Sequence, residues 1–392
     1  MSWPLLKLGE LVTIKGGGTP SKNIDEYWNG DIPWASVKDF KGNIISRTVD
    51  SITDLGVKKS ATNIIPAGTI ITATRMALGK FAINSVDMAI NQDLKALFIN
   101  DTSKIERDYL IRFLESQAQY IDSEGKGATV KGVTLDFLKS IHIPLPPLNE
   151  QKRIAAILDK ADAIRRKRQQ AIQLADDFLR SVFLDMFGDP VSNPKEFRKV
   201  QITQLADVIT GYAFKSAEYI PDSESSVRLC RGANTLAGYF EWKDTAYWNN
   251  DKLQGIENYR INPGDVILAM DRPWISSGLK VCVFPENQRD TYLVQRVARI
   301  RPKQSIYTDY LYSCILSNAF EKHCCPTETT VPHISPVELK NFEVLLPKES
   351  LINKYHDVVS KVRKSLFNME SALKKSTDAF NSLSQKAFAG QL

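Results

Sequence analysis

Residues 108–187, moved forward by 201 positions, match the end of the chain without a gap. Asp108-Tyr109-Leu110 falls on Asp309-Tyr310-Leu311, Thr129-Val130 on Thr330-Val331, Leu138-Lys139 on Leu339-Lys340, Leu145-Pro146 on Leu346-Pro347, and Phe187 on Phe388. Solenoid units run roughly 20–50 residues, so a period this long marks two copies of a whole domain, each followed by a long helix. A duplicated chain presents two similar surfaces and suits a target with two similar parts.

At 392 residues the length allows about two or three domains. A hydrophobic content of 43% and a charged content of 24% are ordinary for globular protein. No apolar run approaches the roughly 18–20 residues that span a bilayer. The start, Met1-Ser2-Trp3-Pro4, lacks the basic-then-apolar order of a signal peptide. The five cysteines all lie in the second half. An odd count absent from one copy argues against a disulfide framework and for the cytoplasm. The net charge of +6 points mildly to an anionic partner. Residues 1–148 carry 17 basic against 16 acidic side chains, and residues 191–346 carry 18 against 18, so the helical segments hold most of the excess. If the globular parts bind nucleic acid, they do so through local basic faces.

The fold class expected is α+β, with two similar mixed domains separated by a long antiparallel two-helix coiled coil. The divisions are 1–148 for the first domain, 149–190 for the first helix, 191–347 for the second domain and 348–392 for the closing helix. Short β-branched runs bounded by Gly, Pro, Asn and Asp predict strands at Ile32–Val37, Ile64-Ile65, Thr69–Thr74, Phe81–Ile83 and Leu94–Ile99. Asp108–Tyr120 reads as one helix. In the second copy, Asn262–Leu268 mirrors Ile65–Ile71 and Leu293-Val294-Gln295 echoes Ile90-Asn91-Gln92, with an offset that drifts between 194 and 203. The frame is shared while loops differ, as in two readers of two different half-targets.

Asn149 is the expected N-cap of the first long helix, and Gly188-Asp189-Pro190 its stop. In the second, Ile352, Tyr355, Val359, Val362, Leu366, Met369, Leu373, Ser376, Phe380, Leu383 and Ala387 alternate in steps of three and four, which is an a/d seam. The matched positions are Gln151, Ile154, Leu158, Ala161, Arg165, Arg168, Ile172, Ala175, Leu179, Val182 and Met186. Ile157, Ile164, Ala171 and Phe178 widen the stripe beyond what one partner helix needs, making Ile157, Ile164 and Phe178 candidate partner contacts. At ~1.5 Å per residue each helix is a rod of about 58 Å.

The run Pro144-Leu145-Pro146-Pro147-Leu148-Asn149-Glu150-Gln151-Lys152-Arg153-Ile154-Ala155-Ala156-Ile157-Leu158 resembles the central region of type I restriction–modification specificity (S) subunits. Leu8-Gly9-Glu10-Leu11, Gly17-Gly18-Thr19-Pro20, Ile32-Pro33-Trp34, Phe187-Gly188-Asp189-Pro190 and Gln385-Lys386-Ala387-Phe388-Ala389-Gly390 are similar to further signatures of that family. The second junction, Leu345-Leu346-Pro347-Lys348-Glu349-Ser350, departs from it, lacking the second proline and the Glu-Gln pair. The resemblance implies a non-catalytic subunit. Each globular segment would be a target recognition domain reading one half of a split double-stranded DNA site. The helices would fix the gap and dock two methyltransferase subunits, and restriction subunits would join. S-adenosylmethionine, ATP and Mg²⁺ would belong to those partners, with no cofactor on this chain.

No catalytic residue is assigned. The chain has neither a Gly-x-Gly-x-x-Gly loop nor a Gly-Lys-Ser/Thr phosphate loop, and Gly16-Gly17-Gly18 reads as a flexible turn. Pro221-Asp222 with Glu241-Trp242-Lys243 fits the loose pattern of a Mg²⁺ nuclease, the alternative activity; a coiled-coil scaffold without DNA is the other alternative. His323, Cys324, Cys325 and His333 lack metal-site spacing, so no metal is expected. Arg165–Arg168 covers too much of the helix circumference for one DNA-facing stripe and suits a solvated face or partner contact. Base edges are read by Arg, Lys, Asn and Gln, and phosphates by Lys, Arg, Ser and Thr. The DNA-binding candidates in the first domain are Lys15, Thr19, Lys22, Lys38, Arg75, Lys80, Gln92, Lys126 and Lys131. In the second they are Tyr212, Lys215, Arg231, Asn234, Arg272, Lys280, Gln295, Arg296 and His333.

Overall fold

The computed structural model describes residues 3–127, 130–325 and 333–392. Met1 and Ser2 of the start, and Thr129, Thr330 and Val331 of the repeat, lie outside the described residues. The chain forms two compact units, Met1–Gln169 with Ser371–Leu392, and Gln170–Glu370. Each of two 40-residue helices, Leu148–Phe187 and Glu349–Phe388, gives one part of its length to each unit.

In the first unit, β-branched and apolar runs make a five-stranded sheet in the order Val12–Gly16, Leu94–Ile99, Ile70–Ala73, Phe81–Asn84 and Ile44-Ile45. Ile70–Ala73 is buried throughout, as expected for a strand covered on both faces. A four-stranded sheet runs Asp50–Ile52, Trp28–Ala35, Met88–Ile90, Ile64-Ile65. The strand Leu5–Lys7 pairs with His142–Pro144, bringing the start of the chain to the entry of the long helix.

The second unit repeats this plan. Ala206–Thr210, Val297–Pro302, Val266–Ala269 and Val281–Val283 stand in the matching order. Its second sheet keeps the parallel pair, Ser226–Cys230 beside Thr291–Leu293, that corresponds to Trp28–Ala35 beside Met88–Ile90. Arg198–Gln201 pairs with Glu343–Leu346 ahead of the closing helix. The equivalence extends to single bonds. Tyr109 Oη donates to the Pro144 carbonyl at 2.7 Å, and Tyr310 Oη to the Leu345 carbonyl at 2.6 Å. A short hairpin, Trp274-Ile275 with Gly278-Leu279, lengthens the second copy between Asp271 and Lys280.

The heptad expectation holds: every predicted seam position on both helices is buried or half-buried. Within the first unit, Ile154, Ala155, Leu158 and Ala387 share a core with Tyr109, Leu110 and Phe113. Arg165 lies over the Phe380 ring at 5.5 Å, and Arg168 donates to the Ala372 carbonyl at 2.7 Å and to Ser376. Rising numbers on one helix meet falling numbers on the other, so the pair is antiparallel. Phe388 meets Tyr109 and Phe113 edge-on at 5.6 and 5.2 Å. Within the second unit the equivalent Phe187 meets Tyr310 and Tyr355 at 4.9 and 5.2 Å. Each such pair adds about 0.5–1.5 kcal/mol beyond the area it buries.

Three local expectations are corrected. The helix expected over Asp108–Tyr120 is two, Arg107–Ser116 and Ala118–Ser123, because Gln117 leaves helical geometry where Ala118 packs against Gly79. The strand expected to reach Val37 ends at Ala35, where the Asp39 carboxylate accepts from the Ser36 amide at 2.8 Å and turns the chain. The first long helix starts at Leu148, not after Asn149: the Pro147 carbonyl accepts from the amides of Glu150 and Gln151 at 2.9 and 3.0 Å.

Gln151 is fully buried. Its Oε1 accepts from the Glu106 amide at 2.8 Å, and its Nε2 donates to the carbonyls of Lys104 and Pro146 at 2.9 and 2.8 Å. That clamp ties the proline-to-helix run to the globular part of the first unit. Ile352 occupies the equivalent place in the second copy and is buried among apolar side chains instead.

Candidate nucleic-acid interface

Both copies build the same fork around a glycine. In the first, the strand Val12–Gly16 delivers Gly17 onto the backbone of Ile90, and a Cβ there would lie 1.9 Å from the Ile90 carbonyl oxygen. Gly17 and Gly18 are therefore tightly packed, not the flexible turn expected from the composition of the run. The Gly18 amide donates to the Ile90 carbonyl at 3.0 Å, and the Trp34 indole donates to the Gly18 carbonyl at 3.0 Å. In the second copy a Cβ on Gly211 would lie 2.3 Å from the Val294 carbonyl, and the Tyr212 amide donates to the Leu293 carbonyl at 2.9 Å. Close backbone approach of this kind admits only glycine.

This floor determines what stands above it. In the first copy Thr19 Oγ1 hydrogen-bonds the exposed Gln92 side chain. The Asp93 carbonyl accepts from the Thr74 amide at 2.9 Å, which sets Arg75 beside that fork. Met76 follows with φ +66°, its amide donating to the Lys131 carbonyl at 3.2 Å. Lys126 exchanges backbone hydrogen bonds of 2.9 Å with Gly132, next to Lys131. Thr19, Arg75, Gln92, Lys126 and Lys131 thus belong to one connected neighbourhood.

The remaining first-domain candidates are placed otherwise. Lys15 is exposed with its ammonium over the Phe98 ring at 5.1 Å. Lys38 pairs with Asp50 at 3.1 Å, and Lys22 and Lys80 are exposed. Lys95 is not among the expected candidates. Its Nζ donates to the Leu94 carbonyl at 3.1 Å, and burial lowers its pKa, opposed by Asp93 and aided by Arg75. Its sequence position, inside an apolar strand, gave no signal of that.

In the second copy the Met270 amide donates to the Arg296 carbonyl at 2.9 Å, the counterpart of the Thr74–Asp93 bond. The Ile334 amide donates to the Met270 carbonyl at 3.0 Å, as Val133 does to Thr74 at 3.0 Å. An open cavity of about 430 Å³ is lined by Gly211, Met270, Asp271, Gln295, Arg296 and His333, among others. Asp271 receives Arg296 Nη1 and His333 Nδ1, each at 2.6 Å. Burial works to raise the Asp271 pKa, but the hydrogen bonds from Arg296 and His333 outweigh it and hold the carboxyl below its ordinary range. Asp271 is an acceptor, so donor chemistry alone does not single it out.

Tyr212 is exposed and packs edge-on against Phe214 at 5.0 Å. Lys215 and Arg272 are exposed, the latter with φ +44°. Lys280 Nζ reaches the Gly232 carbonyl at 3.3 Å, and burial lowers its pKa. Arg231 lies 3.5 Å from the Asp244 carboxylate. Asn234 is buried: its Oδ1 accepts from the Arg231 amide at 3.1 Å, and its Nδ2 donates to the carbonyls of Glu241 and Asp244 at 3.0 Å each. Its polar atoms are spent ordering that loop.

The pieces of the nuclease pattern have separate occupations. Asp222 pairs with Arg289, whose hydrogen bond holds that carboxyl below its usual range, and Glu241 Oε1 accepts from the Lys243 amide at 2.9 Å. His323 Nε2 meets the Glu338 carbonyl at 2.9 Å. Among the described residues no group of three or more His, Cys, Asp or Glu is gathered as a metal would need, and no helix is long and apolar enough to cross a membrane.

Residues 2–174 match the family model for the type I restriction modification DNA specificity domain. The chain is 25% identical over 360 residues to the type I restriction enzyme MjaVIII specificity subunit of Methanocaldococcus jannaschii, covering 88% of this chain and 82% of that one. It is 38% identical over 164 residues, 40% of each chain, to the EcoR124I/EcoR124II specificity subunit of Escherichia coli. Its fold is similar to the crystal structure of the S subunit of a type I restriction-modification system from M. genitalium, with a TM-score of 0.59, 14% identity, and coverage of 99% of this chain and 96% of that one.

Proposed function

We propose that the chain is a member of the family of type I restriction–modification specificity subunits, whose domain model matches residues 2–174, and is the non-catalytic DNA-reading subunit of such a complex. Each globular domain reads one half of a split double-stranded site. The observation that carries this is the repeated fork: Gly17 and Gly211 hold the same backbone frame while Gln92 and Gln295 stand above it among different neighbours. A common scaffold with exchanged side chains is what two readers of unlike half-sites require, since phosphates position and base edges specify. The domains are 1–148 and 191–347, the spacers 149–190 and 348–392.

The helices set the gap and dock two methyltransferase subunits, with restriction subunits joining; S-adenosylmethionine, ATP and Mg²⁺ act on those partners, in the cytoplasm. Ile164 and Phe178, 50% and 51% exposed on a helix whose seam is covered, support a docking role; Ile157 is half-buried beside them in the stripe. Isolated apolar side chains on a surface are ordinary, but a stripe of them marks an interface.

Methylome sequencing of cells carrying this chain with its cognate methyltransferase tests the proposal. The expected result is a split methylated motif. Exchanging residues 1–146 for those of another family member should change one half and leave the other. Absence of any split motif, or a hybrid motif unrelated to either parent, would overturn it.

A further inference from the structure

We infer that Arg296, aimed by Asp271, reads a guanine in the half-site of the second domain, and that Arg75 and Asp93 invert this arrangement so that the first domain reads differently at the matching place. The inference rests on the DNA-reading function proposed above and adds a base-reading residue to it.

Three independent observations converge on Arg296. Its side chain is 70% exposed, yet its Nη1 is pinned to the Asp271 carboxylate at 2.6 Å. Its backbone sits at φ +65°, a region that a side-chain-bearing residue occupies at a cost. That conformation is over-determined: the Arg296 carbonyl accepts from Met270, the Gln295 amide donates to the Tyr212 carbonyl at 2.9 Å, and Gly211 lies beneath. Strain held this firmly is found where a side chain must be presented in one direction. Finally, Arg296 stands at the edge of the 430 Å³ cavity with Gln295 beside it, both exposed.

The chemistry follows from the guanidinium. A carboxylate that takes one edge of the fork removes the rotational freedom of a long side chain and leaves further N–H groups pointing elsewhere. Two of them match O6 and N7 of guanine in the major groove. Asp271 alone would repel DNA. With Arg296 and His333 both on it, its charge is compensated.

The first copy supplies the contrast. The Thr74–Asp93 and Met270–Arg296 backbone bonds, each 2.9 Å, make Asp93 the equivalent of Arg296 and Arg75 the equivalent of Asp271. Left-handed Met76 and Arg272 follow at the same step in both copies. The backbone bonds are kept and the charges at the two positions are exchanged, while Asp93 lacks the left-handed conformation of Arg296. A carboxylate at the Arg296 position cannot address the two acceptors of guanine.

The test is methylome sequencing of cells carrying the full chain with its cognate methyltransferase subunits. The half-site unaffected by exchange of residues 1–146 is assigned to the second domain. It should contain a guanine that Arg296→Ala renders degenerate, with discrimination falling about 5- to 150-fold at that position and the other half intact. Arg296→Lys keeps the charge and the exposed site, so it should preserve overall methylation while losing the same preference. Asp271→Asn, acting on a positioning residue, should relax that position and no other. Unchanged base preference in Arg296→Ala, or an even loss at all sites that Arg296→Lys restores, would show a phosphate contact or none and overturn the inference. If the unsubstituted chain directs no split motif at all, the DNA-reading function itself falls, and the inference with it.

Discussion

The Arg112 guanidinium lies 3.1 Å from the Asp162 carboxylate, and the two side chains are 6% and 4% exposed. Arg112 stands on the recognition domain and Asp162 on the long helix. At the equivalent helix position, 201 residues on, stands Arg363, which pairs with Asp309 of the second domain. The charges are exchanged between helix and domain. A helix segment docked on the wrong domain would set Asp162 against Asp309, so the inversion favours one pairing as well as strengthening it.

Asp162 keeps Arg165 and Arg166, each at 2.7 Å, when Arg112 is removed, whereas half-buried Glu115 loses its cation. Arg112→Ala should therefore cost roughly 1–3 kcal/mol in denaturant unfolding. The exposed pair Lys38–Asp50 is the control, where Lys38→Ala should change stability by about 0–1 kcal/mol. Similar values for both would mean that the first pair does not anchor the domain.

The same cluster predicts two opposite pH responses. At Asp162 burial works upward, but Arg165, Arg112 and Arg166 outweigh it and depress the pKa. Its stabilisation is present above about pH 3.9 and is lost as pH falls through the lower folded value. At Glu115 burial wins over Arg112 and raises the pKa. Its contribution is full below about pH 4.3 and is lost as pH rises through the folded value. Asp162→Asn should thus destabilise at pH 7 with a deficit that closes in acid, while Glu115→Gln should remove a loss that grows towards neutrality. Urea unfolding at pH 3, 5 and 7 distinguishes the two; parallel curves would refute the assignment.

Much of this was legible in the sequence because duplication and heptad spacing are long-range patterns that average over many residues. The seam from Ile352 to Ala387 and the stop at Gly188 were read from spacing and composition alone. The break at Gln117 was not, because it depends on Gly79 lying against Ala118, a contact between distant residues. Gly17 looked like a turn residue, and its packing against Ile90 is invisible until the strands pair. The fork was partly legible: Gln92, Gln295, Arg296 and His333 are expected donors, whereas Asp271, which holds Arg296 and His333, is an acid that donor chemistry does not single out.

The glycine floor makes a graded prediction. Gly17→Ala and Gly211→Ala must move backbone, since the new Cβ would lie 1.9 and 2.3 Å from carbonyl oxygens. Each should cost about 1–3 kcal/mol and weaken recognition of its own half-site. Gly42→Ala, with no atom within 4 Å of its Cβ, should be neutral or slightly stabilising. Melting curves for the three variants, with methylation of each half-site, provide the check; an unperturbed Gly17→Ala would rule out the packed floor.

Thiol chemistry should be silent in the native chain. Burial pushes the thiols of Cys230, Cys314 and Cys324 up to about 12 and that of Cys282 well above its usual value. At pH 8 a thiol of pKa about 12 is ionised in ~1 molecule in 10,000, and the thiolate is the reactive form. Iodoacetamide should label half-buried Cys325 first and the others only on unfolding. Fast native labelling of Cys230, read by mass spectrometry, would contradict this burial.

The long helices should act as a ruler between the recognition domains. Gln170 and Ser371 mark the places where each helix passes from one compact unit to the other, so residues added there leave both unit cores uncut. One inserted residue turns a helix by about 100° and advances it by ~1.5 Å, which should break docking. Seven restore the a/d seam and add ~10.5 Å, about three base pairs at ~3.4 Å each. The insertion must be made in both helices, or the seam on one loses its partner on the other. Methylome sequencing should then show both half-sites retained and the unread gap lengthened. A motif that keeps its original gap in the doubly lengthened variant would mean that the spacing is set elsewhere.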